Sequence, residues 1–119
     1  SNVIGRPVAA LLTMQDATVT LCHSRTVDLP SVTREAEILV VAAGRARMID
    51  SGYVAPGQTV IDVGINWDEA SQKLVGDVDT EAIKDTVAAY TPVPGGVGSV
   101  TTAILAKHVI EAAERTLVS

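Results

Sequence analysis

Two stretches of this 119-residue chain carry residue types that could do chemistry on a phosphorylated ligand. In Ser1-Asn2-Val3-Ile4-Gly5 a glycine opens an apolar run. Backbone N–H groups and the helix dipole at such a start can hold a pyrophosphate, although ordinary capped helices begin the same way. The second stretch, Cys22-His23-Ser24-Arg25-Thr26, follows the strand-like Thr18-Val19-Thr20-Leu21-Cys22. A unit that takes NAD usually ends this strand in Asp or Glu, which hydrogen-bonds the ribose hydroxyls. Here no acid stands there, and the Ser24 hydroxyl and Arg25 guanidinium can receive a 2′-phosphate that a carboxylate would repel. Local chemistry therefore favours NADP. The competing reading is a solvated loop with a capping serine.

Other reactive side chains make weaker cases. His23 has no obvious acid–base partner, so a hydrogen-bonded structural role ranks ahead of catalysis. His108 falls on the surface of a long helix, and Cys22 is expected to be a small core residue. Asp62 interrupts an apolar strand and Asp77 sits in the loop Gly76-Asp77-Val78. Both are read as buried, hydrogen-bonded carboxylates that position loops, ahead of general bases. No His and Cys stand at metal-ligand spacing, so no metal is implied.

The elements that must position these residues alternate. Gly5 to Met14 forms a helix with Pro7 in its first turn. Thr18 to Cys22 is a strand, and Leu29 to Ala36 a short helix with Asp28 as N-cap. Ile38 to Ala42 and Thr59 to Val63 are strands. The continuous apolar run Ile38-Leu39-Val40-Val41-Ala42 is the pattern of a strand buried on both faces. Thr80 to Val87 is predicted helical, Ala88 to Thr91 a short strand, and Thr101 to about Leu117 a long helix. Alternation of this kind gives a parallel sheet with right-handed crossovers. The expected fold is α/β, a Rossmann-type, doubly wound, mostly parallel sheet with ligands beyond its carboxyl edge. The chain opens inside the first glycine turn, so the first strand has no counterpart here. The 119 residues are read as one domain, a fragment of a longer two-domain enzyme.

Composition agrees with that class and narrows the partners. Apolar residues make up 47% and charged residues 19%, enough for a packed core. Aromatics are only 3%, so Val, Ile, Leu and Ala fill the interior. The net charge of −5, without a basic face, argues against nucleic acid. A single cysteine suits a reducing compartment. No run approaches a membrane span, and the start does not read as a signal peptide. A cytoplasmic protein with no membrane partner is expected.

Four segments, in order, resemble the signature stretches of the bifunctional methylenetetrahydrofolate dehydrogenase/cyclohydrolase family. They are Ser1-Asn2-Val3-Ile4-Gly5-Arg6-Pro7, Cys22 to Thr26, Val60-Ile61-Asp62-Val63-Gly64-Ile65-Asn66, and Thr91-Pro92-Val93-Pro94-Gly95-Gly96-Val97-Gly98. Leu74 to Val78 also fits, and the last of the four is the most specific. The resemblance implies that Ser1 closes a cofactor turn, Ser24 meets the adenosine end of NADP, and Ile65 flanks the nicotinamide. It also implies that Pro94, Gly95, Gly96, Val97 and Gly98 form part of a folate pocket, where glycines let backbone approach a flat ring. The alternative reading of that run is a helix N-terminal turn.

The implied reaction oxidises 5,10-methylenetetrahydrofolate with NADP⁺ and hydrolyses the product to 10-formyltetrahydrofolate. The family's general acid/base lysine and its tyrosine partner lie on an N-terminal domain. Lys73, Lys84 and Lys107 sit in no matching motif, so no catalytic residue is assigned and the fragment alone is expected to be inactive. The family is generally dimeric, which implies a homodimer. One departure stands out: the family continues Pro-Met-Thr after Gly98, and this chain reads Ser99-Val100-Thr101, with Ser99 expected to cap the next helix. Another NADP-dependent dehydrogenase domain and a catalytically inactive nucleotide-binding module remain alternatives.

Overall fold

The computed structural model of the chain describes residues 3–118, with side chains through Arg115. Helix α1 spans Gly5–Met14, α2 Leu29–Arg34, α3 Thr80–Ile83 and α4 Val97–Val118. Strands β1 (Ile38–Val41), β2 (Thr59–Asp62) and β5 (Ala89–Tyr90) form a three-stranded parallel sheet in the order β1-β2-β5. Ile38 faces Thr59 and Val41 faces Asp62, while Thr59 pairs on its other side with Ala89. This is the Rossmann-type α/β arrangement, with parallel strands joined through helices. Ile49 and Val78 add an isolated parallel bridge beside the sheet.

The core is small and aliphatic, as a chain without Phe requires. Val41, Ile49, Val54, Val60, Val78, Ile83 and Val87 form it, with Leu39, Met48 and Tyr53 packed against its border. Val60 and Ile83 lose all contact with solvent. Each such side chain stabilises the fold by about 1.5–3 kcal/mol through burial. By contrast Leu11 on α1 and Ile104, Leu105, Val109 and Ile110 on α4 are exposed. Among the described residues no helix is long and apolar enough to cross a membrane.

Several elements depart from the sequence reading. Thr18 to Cys22 is not a strand: a strand exists only by pairing, and this segment has no ladder partner among the described residues. Helix α2 ends at Arg34 rather than Ala36, because the buried Gln58 amide donates to the carbonyls of Thr33 (2.7 Å) and Ala36 (2.8 Å). Asp28 takes the N-cap position at φ 49° without a side-chain cap, and its carbonyl accepts from Ser31 N instead. Helix α3 is one turn long, capped by the Asp79 carboxylate on Ala82 N. Helix α4 begins at Val97, not Thr101, so Val97 and Gly98 belong to its first turn and Ser99 lies inside it rather than capping it.

A short 3-10 turn at Ser51–Tyr53 and a hairpin have no counterpart in the sequence reading. β3 (Asn66–Asp68) and β4 (Lys73–Val75) pair as an antiparallel hairpin, with Trp67 opposite Leu74. Its turn, Glu69 to Gln72, has neither Gly nor Pro, and Gln72 supplies the left-handed residue at φ 53°. Both strands have only three residues, too few to show a period. An ion pair between Arg47 and Asp68 (2.9 Å) fastens the hairpin to the segment after β1.

Candidate functional site

Beyond the carboxyl ends of β2 and β5 lies a cleft of about 380 Å³. Its walls are Asp62 to Ile65 on one side and Pro92 to Ser99 on the other, with Leu74 and Thr102 at its margins. Two sequence-predicted groups therefore meet: Ile65 and the run Pro94, Gly95, Gly96, Val97 and Gly98. Ile65 is 65% exposed, unusual for an isoleucine beside a buried strand, and it presents its apolar side chain at the opening. The lining is mostly backbone and aliphatic carbon, which suits flat, weakly polar rings more than a free ion.

The glycine run folds as its residue types require. Val93-Pro94 is a cis peptide, and Gly95 follows at φ 93°, a left-handed value that L side chains rarely adopt. A Cβ at Gly96 would collide with the Pro92 carbonyl oxygen and stand 3.2 Å from Thr91 Cβ. Gly98, by contrast, faces open space. The chain then enters α4, where the hydroxyls of Thr101 and Thr102 each donate to the Gly98 carbonyl at 3.0 Å.

Beneath the cleft sit the two aspartates expected to hold loops. Asp62 is 2% exposed and Asp77 0%. Asp62 Oδ1 accepts from Gly64 N (2.9 Å) and Asp77 N (3.2 Å), and its Oδ2 from Val78 N (3.0 Å). Asp77 Oδ2 accepts from Ala43 N (2.7 Å) and Gly44 N (2.9 Å), and its Oδ1 from Asn66 Nδ2 (2.8 Å). No described cation answers either carboxylate; backbone N–H groups and the Asn66 amide do. Burial pushes the Asp62 carboxyl above its ordinary range, and the N–H groups of Gly64, Val78 and Asp77 only partly offset this. Near the hairpin the balance is opposite: the Ser71 hydroxyl and then Arg47 hold half-buried Asp68 below the usual carboxylate range.

The remaining candidates lie elsewhere. Ser24 is exposed in a turn and does not line the cleft. His23 closes that turn locally: its Nδ1 accepts from Arg25 N at 3.1 Å, and its own N–H donates to Thr26 Oγ1 at 2.9 Å. Cys22 is half-buried, and burial raises its thiol pKa, which keeps it protonated and unreactive. His108 is exposed on α4. Ser1 lies outside the described residues.

Sequence reasoning missed the groups that make the aspartates fit. A Cβ on Gly64 would overlap the Asp77 carboxylate, and one on Gly76 would overlap Asp62 and approach Val93 Cγ2 to 2.9 Å. Asn66, the partner of Asp77, stood out in the sequence only as the end of a motif. Its signal was available: Gly64 and Asn66 bracket Ile65 just after Asp62, and Gly76 immediately precedes Asp77.

Comparison with known proteins agrees along nearly the whole chain. Residues 1–117 match the family described as tetrahydrofolate dehydrogenase/cyclohydrolase, NAD(P)-binding domain. The bifunctional protein FolD of Carboxydothermus hydrogenoformans is 57% identical over 115 residues, covering 96% of this chain and 40% of that protein. FolD of Clostridioides difficile is also 57% identical, over 112 residues. The crystal structure of the Campylobacter jejuni bifunctional methylenetetrahydrofolate dehydrogenase/cyclohydrolase superposes with a TM-score of 0.89 at 45% identity, covering 97% of this chain and 40% of that one. The Trypanosoma brucei enzyme, solved with NADP cofactor and inhibitor, superposes with a TM-score of 0.86 at 37% identity, covering 100% and 42%. The chain thus spans about two-fifths of the length of the curated relatives it matches. With that extent of identity and a shared fold, the chain belongs to the tetrahydrofolate dehydrogenase/cyclohydrolase family, within its NAD(P)-binding domain.

Proposed function

We propose that this chain is the NADP-binding portion of a longer two-domain enzyme. That enzyme oxidises 5,10-methylenetetrahydrofolate to the 5,10-methenyl form and hydrolyses it to 10-formyltetrahydrofolate. The observation that carries the reading is the meeting of Ile65 with the Pro94 to Gly98 run across one cleft at the carboxyl edge of a parallel sheet.

The residues present fit a phosphorylated dinucleotide. The cleft mouth is apolar at Ile65, and the only carboxylate in its described lining, Asp62, is occupied by three backbone N–H groups. Gly44, at φ 72° beyond β1, faces open space that a Cβ would intrude upon. The Ser24 turn offers a hydroxyl and the Arg25 guanidinium without an acid between them, as a 2′-phosphate requires. When bound, the nicotinamide accepts the hydride. Ile65 would hold the nicotinamide and the Pro94 to Gly98 backbone would hold the folate on the facing wall, which would set orientation. We place Ser1 at the pyrophosphate turn by resemblance alone.

The acid–base residues belong, in this reading, to a preceding domain. Lys84 and Lys107 are exposed, pair with Glu81 and Glu111, and do not line the cleft. We further assign the enzyme to the cytoplasm and to a homodimer, on family resemblance. Titration of the full-length protein with NADPH and NADH, followed by nucleotide fluorescence, tests the central reading. Tighter binding of NADPH is expected; equal affinity for both, or uptake of neither, overturns it.

A further inference from the structure

We propose that Asp77 is a positioning residue for the cofactor, fixing the Ile65 backbone through Asn66 while anchoring the turn after β1. This rests on the cofactor reading above. Ile65 has no hydrogen-bonded side chain of its own, and its neighbours hold it on both flanks. On one side Gly64 N is bound to Asp62 and Gly64 Cα is pressed against the Asp77 carboxylate. On the other, the Asn66 side chain donates to Asp77 Oδ1 at 2.8 Å. The second oxygen of the same carboxylate holds Ala43 N and Gly44 N.

One buried group therefore ties together the loops that follow β1 and β2. In an open parallel sheet, a dinucleotide lies across the loops at the carboxyl edge. Their relative placement decides whether the ligand can touch both at once. Asp77 does not line the cleft, so it acts through Asn66, Gly64 and Gly44 rather than on the ligand. The polarity of the link is defined: at Asp77 one oxygen serves the backbone and the other serves Asn66. Reversing the polarity of the side-chain pair should preserve the Asp77–Asn66 link, at the cost of the long Asn66 Nδ2 donation to the Val75 carbonyl (3.4 Å). In the D77N/N66D exchange, the amide oxygen stays with Ala43 and Gly44 while the amide nitrogen turns towards a carboxylate at position 66.

The test uses the full-length protein in four forms: wild type, N66D, D77N and the double variant D77N/N66D. Three readings are taken on each: thermal midpoint, amide exchange over Ala43–Gly44 and Gly64–Asn66, and NADPH affinity. N66D sets two carboxylates face to face. It is expected to speed exchange in both loops together and weaken NADPH binding by about tenfold or more. D77N, whose neutral amide can be met by a rotated Asn66, should be the milder single change and guards against outright unfolding of N66D. The double variant should recover exchange protection and affinity to within about threefold of wild type. A double variant no better than N66D overturns the proposal. So does unchanged NADPH affinity in N66D when the wild type binds NADPH. Failure of the wild type to bind NADPH instead strikes the cofactor reading, and is told apart because exchange rescue still reports whether Asp77 couples the two loops.

Discussion

Asp62 and Asp77 stand as neighbouring buried carboxylates in which the side chain of the first holds the backbone N–H of the second, Asp62 Oδ1 accepting from Asp77 N at 3.2 Å. Each also fills the space that a glycine beside the other leaves free, Asp62 at Gly76 and Asp77 at Gly64. Two like charges in a dry place repel, and they are tolerated because six donors converge on their four oxygens. Asp62→Asn tests this directly. Both Asp62 oxygens accept from backbone, and an amide offers only one acceptor, so one N–H faces another. Stability should fall by about 1–3 kcal/mol. Chemical denaturation reads this as a lower midpoint, and an unchanged midpoint would show that the bonds contribute nothing net.

The same carboxyl gives stability a pH dependence. Burial raises the folded Asp62 pKa above the ordinary 3.8, so the folded chain binds this proton more tightly than the unfolded chain does. The contribution favours folding fully below 3.8 and is lost as pH rises through the folded value. The advantage of wild type over Asp62→Asn should therefore grow as pH falls through that window. Asp68 opposes it, since its lowered pKa gives stability that disappears in acid, but its ion-pair partner Arg47 is exposed to screening solvent and the effect is weak. Denaturation midpoints of both proteins measured across the acid range check the sign. A gap that narrows on acidification contradicts it.

Glycine positions separate into two kinds. Gly64→Ala and Gly76→Ala each drive a methyl into a buried carboxylate, and overpacking of this sort costs about 1–3 kcal/mol. Gly98→Ala meets nothing within 4 Å and sits in the first turn of α4, where alanine favours helix by roughly 0.5–1 kcal/mol. Thermal midpoints should fall for the first two and hold or rise for the third. Because Gly98 lines the cleft, its variant should change ligand affinity without loss of fold.

Legibility in the sequence followed how local each cause was. The apolar runs at Ile38 and Thr59 announced β1 and β2. Yet β1 is not buried on both faces as its run suggested: it is an edge strand in the described sheet, with Ile38 exposed and only Val41 buried. Pro7 and Pro30 marked helix starts because proline fixes its own backbone angle. Asp62 and Asp77 were readable because a carboxylate inside an apolar segment must find donors. What the donors were was not readable, since Ala43 and Gly44 lie over thirty residues from Asp77 in sequence. Gln58 is the same case: an ordinary polar residue before a strand turns out to terminate α2 from 22 residues away. Thr18 to Cys22 failed in the opposite sense, having strand composition without a neighbour to pair with. Ile65 and the Pro94 to Gly98 run stood out by their motif, and only the fold could show that they line one cleft.

In the proposed reading, cofactor preference turns on the exposed turn after Cys22. Ser24→Asp places a carboxylate where the NADP reading puts a 2′-phosphate. Repulsion of about 1 kcal/mol or more between charges roughly 4 Å apart should weaken NADPH by about fivefold or more. NADH should bind as well as before or better, because an acid at this strand end can take the ribose hydroxyls. Paired titrations with the two nucleotides measure the ratio. Parallel losses for both would mean that Ser24 supports the turn rather than the phosphate.

Ser99 marks the departure from the family pattern, and its place in the structure sets what proline would do. It is the third residue of α4, and its N–H donates to the Gly96 carbonyl at 3.1 Å. Proline removes that bond, worth about 0.5–1.5 kcal/mol. The first helical turn otherwise tolerates it, and a fixed φ restricts the unfolded chain by about 0.4–1 kcal/mol in compensation. Ser99→Pro should therefore leave the thermal midpoint almost unchanged while stiffening the end of the Pro94 to Gly98 run. A stiffer run loses less freedom when a folate settles against it, so affinity for a tetrahydrofolate derivative should rise severalfold, chiefly through slower release. Equal affinities in the two proteins would show that the loop is already held firmly by the Thr101 and Thr102 hydroxyls on the Gly98 carbonyl, and that the serine carries no cost.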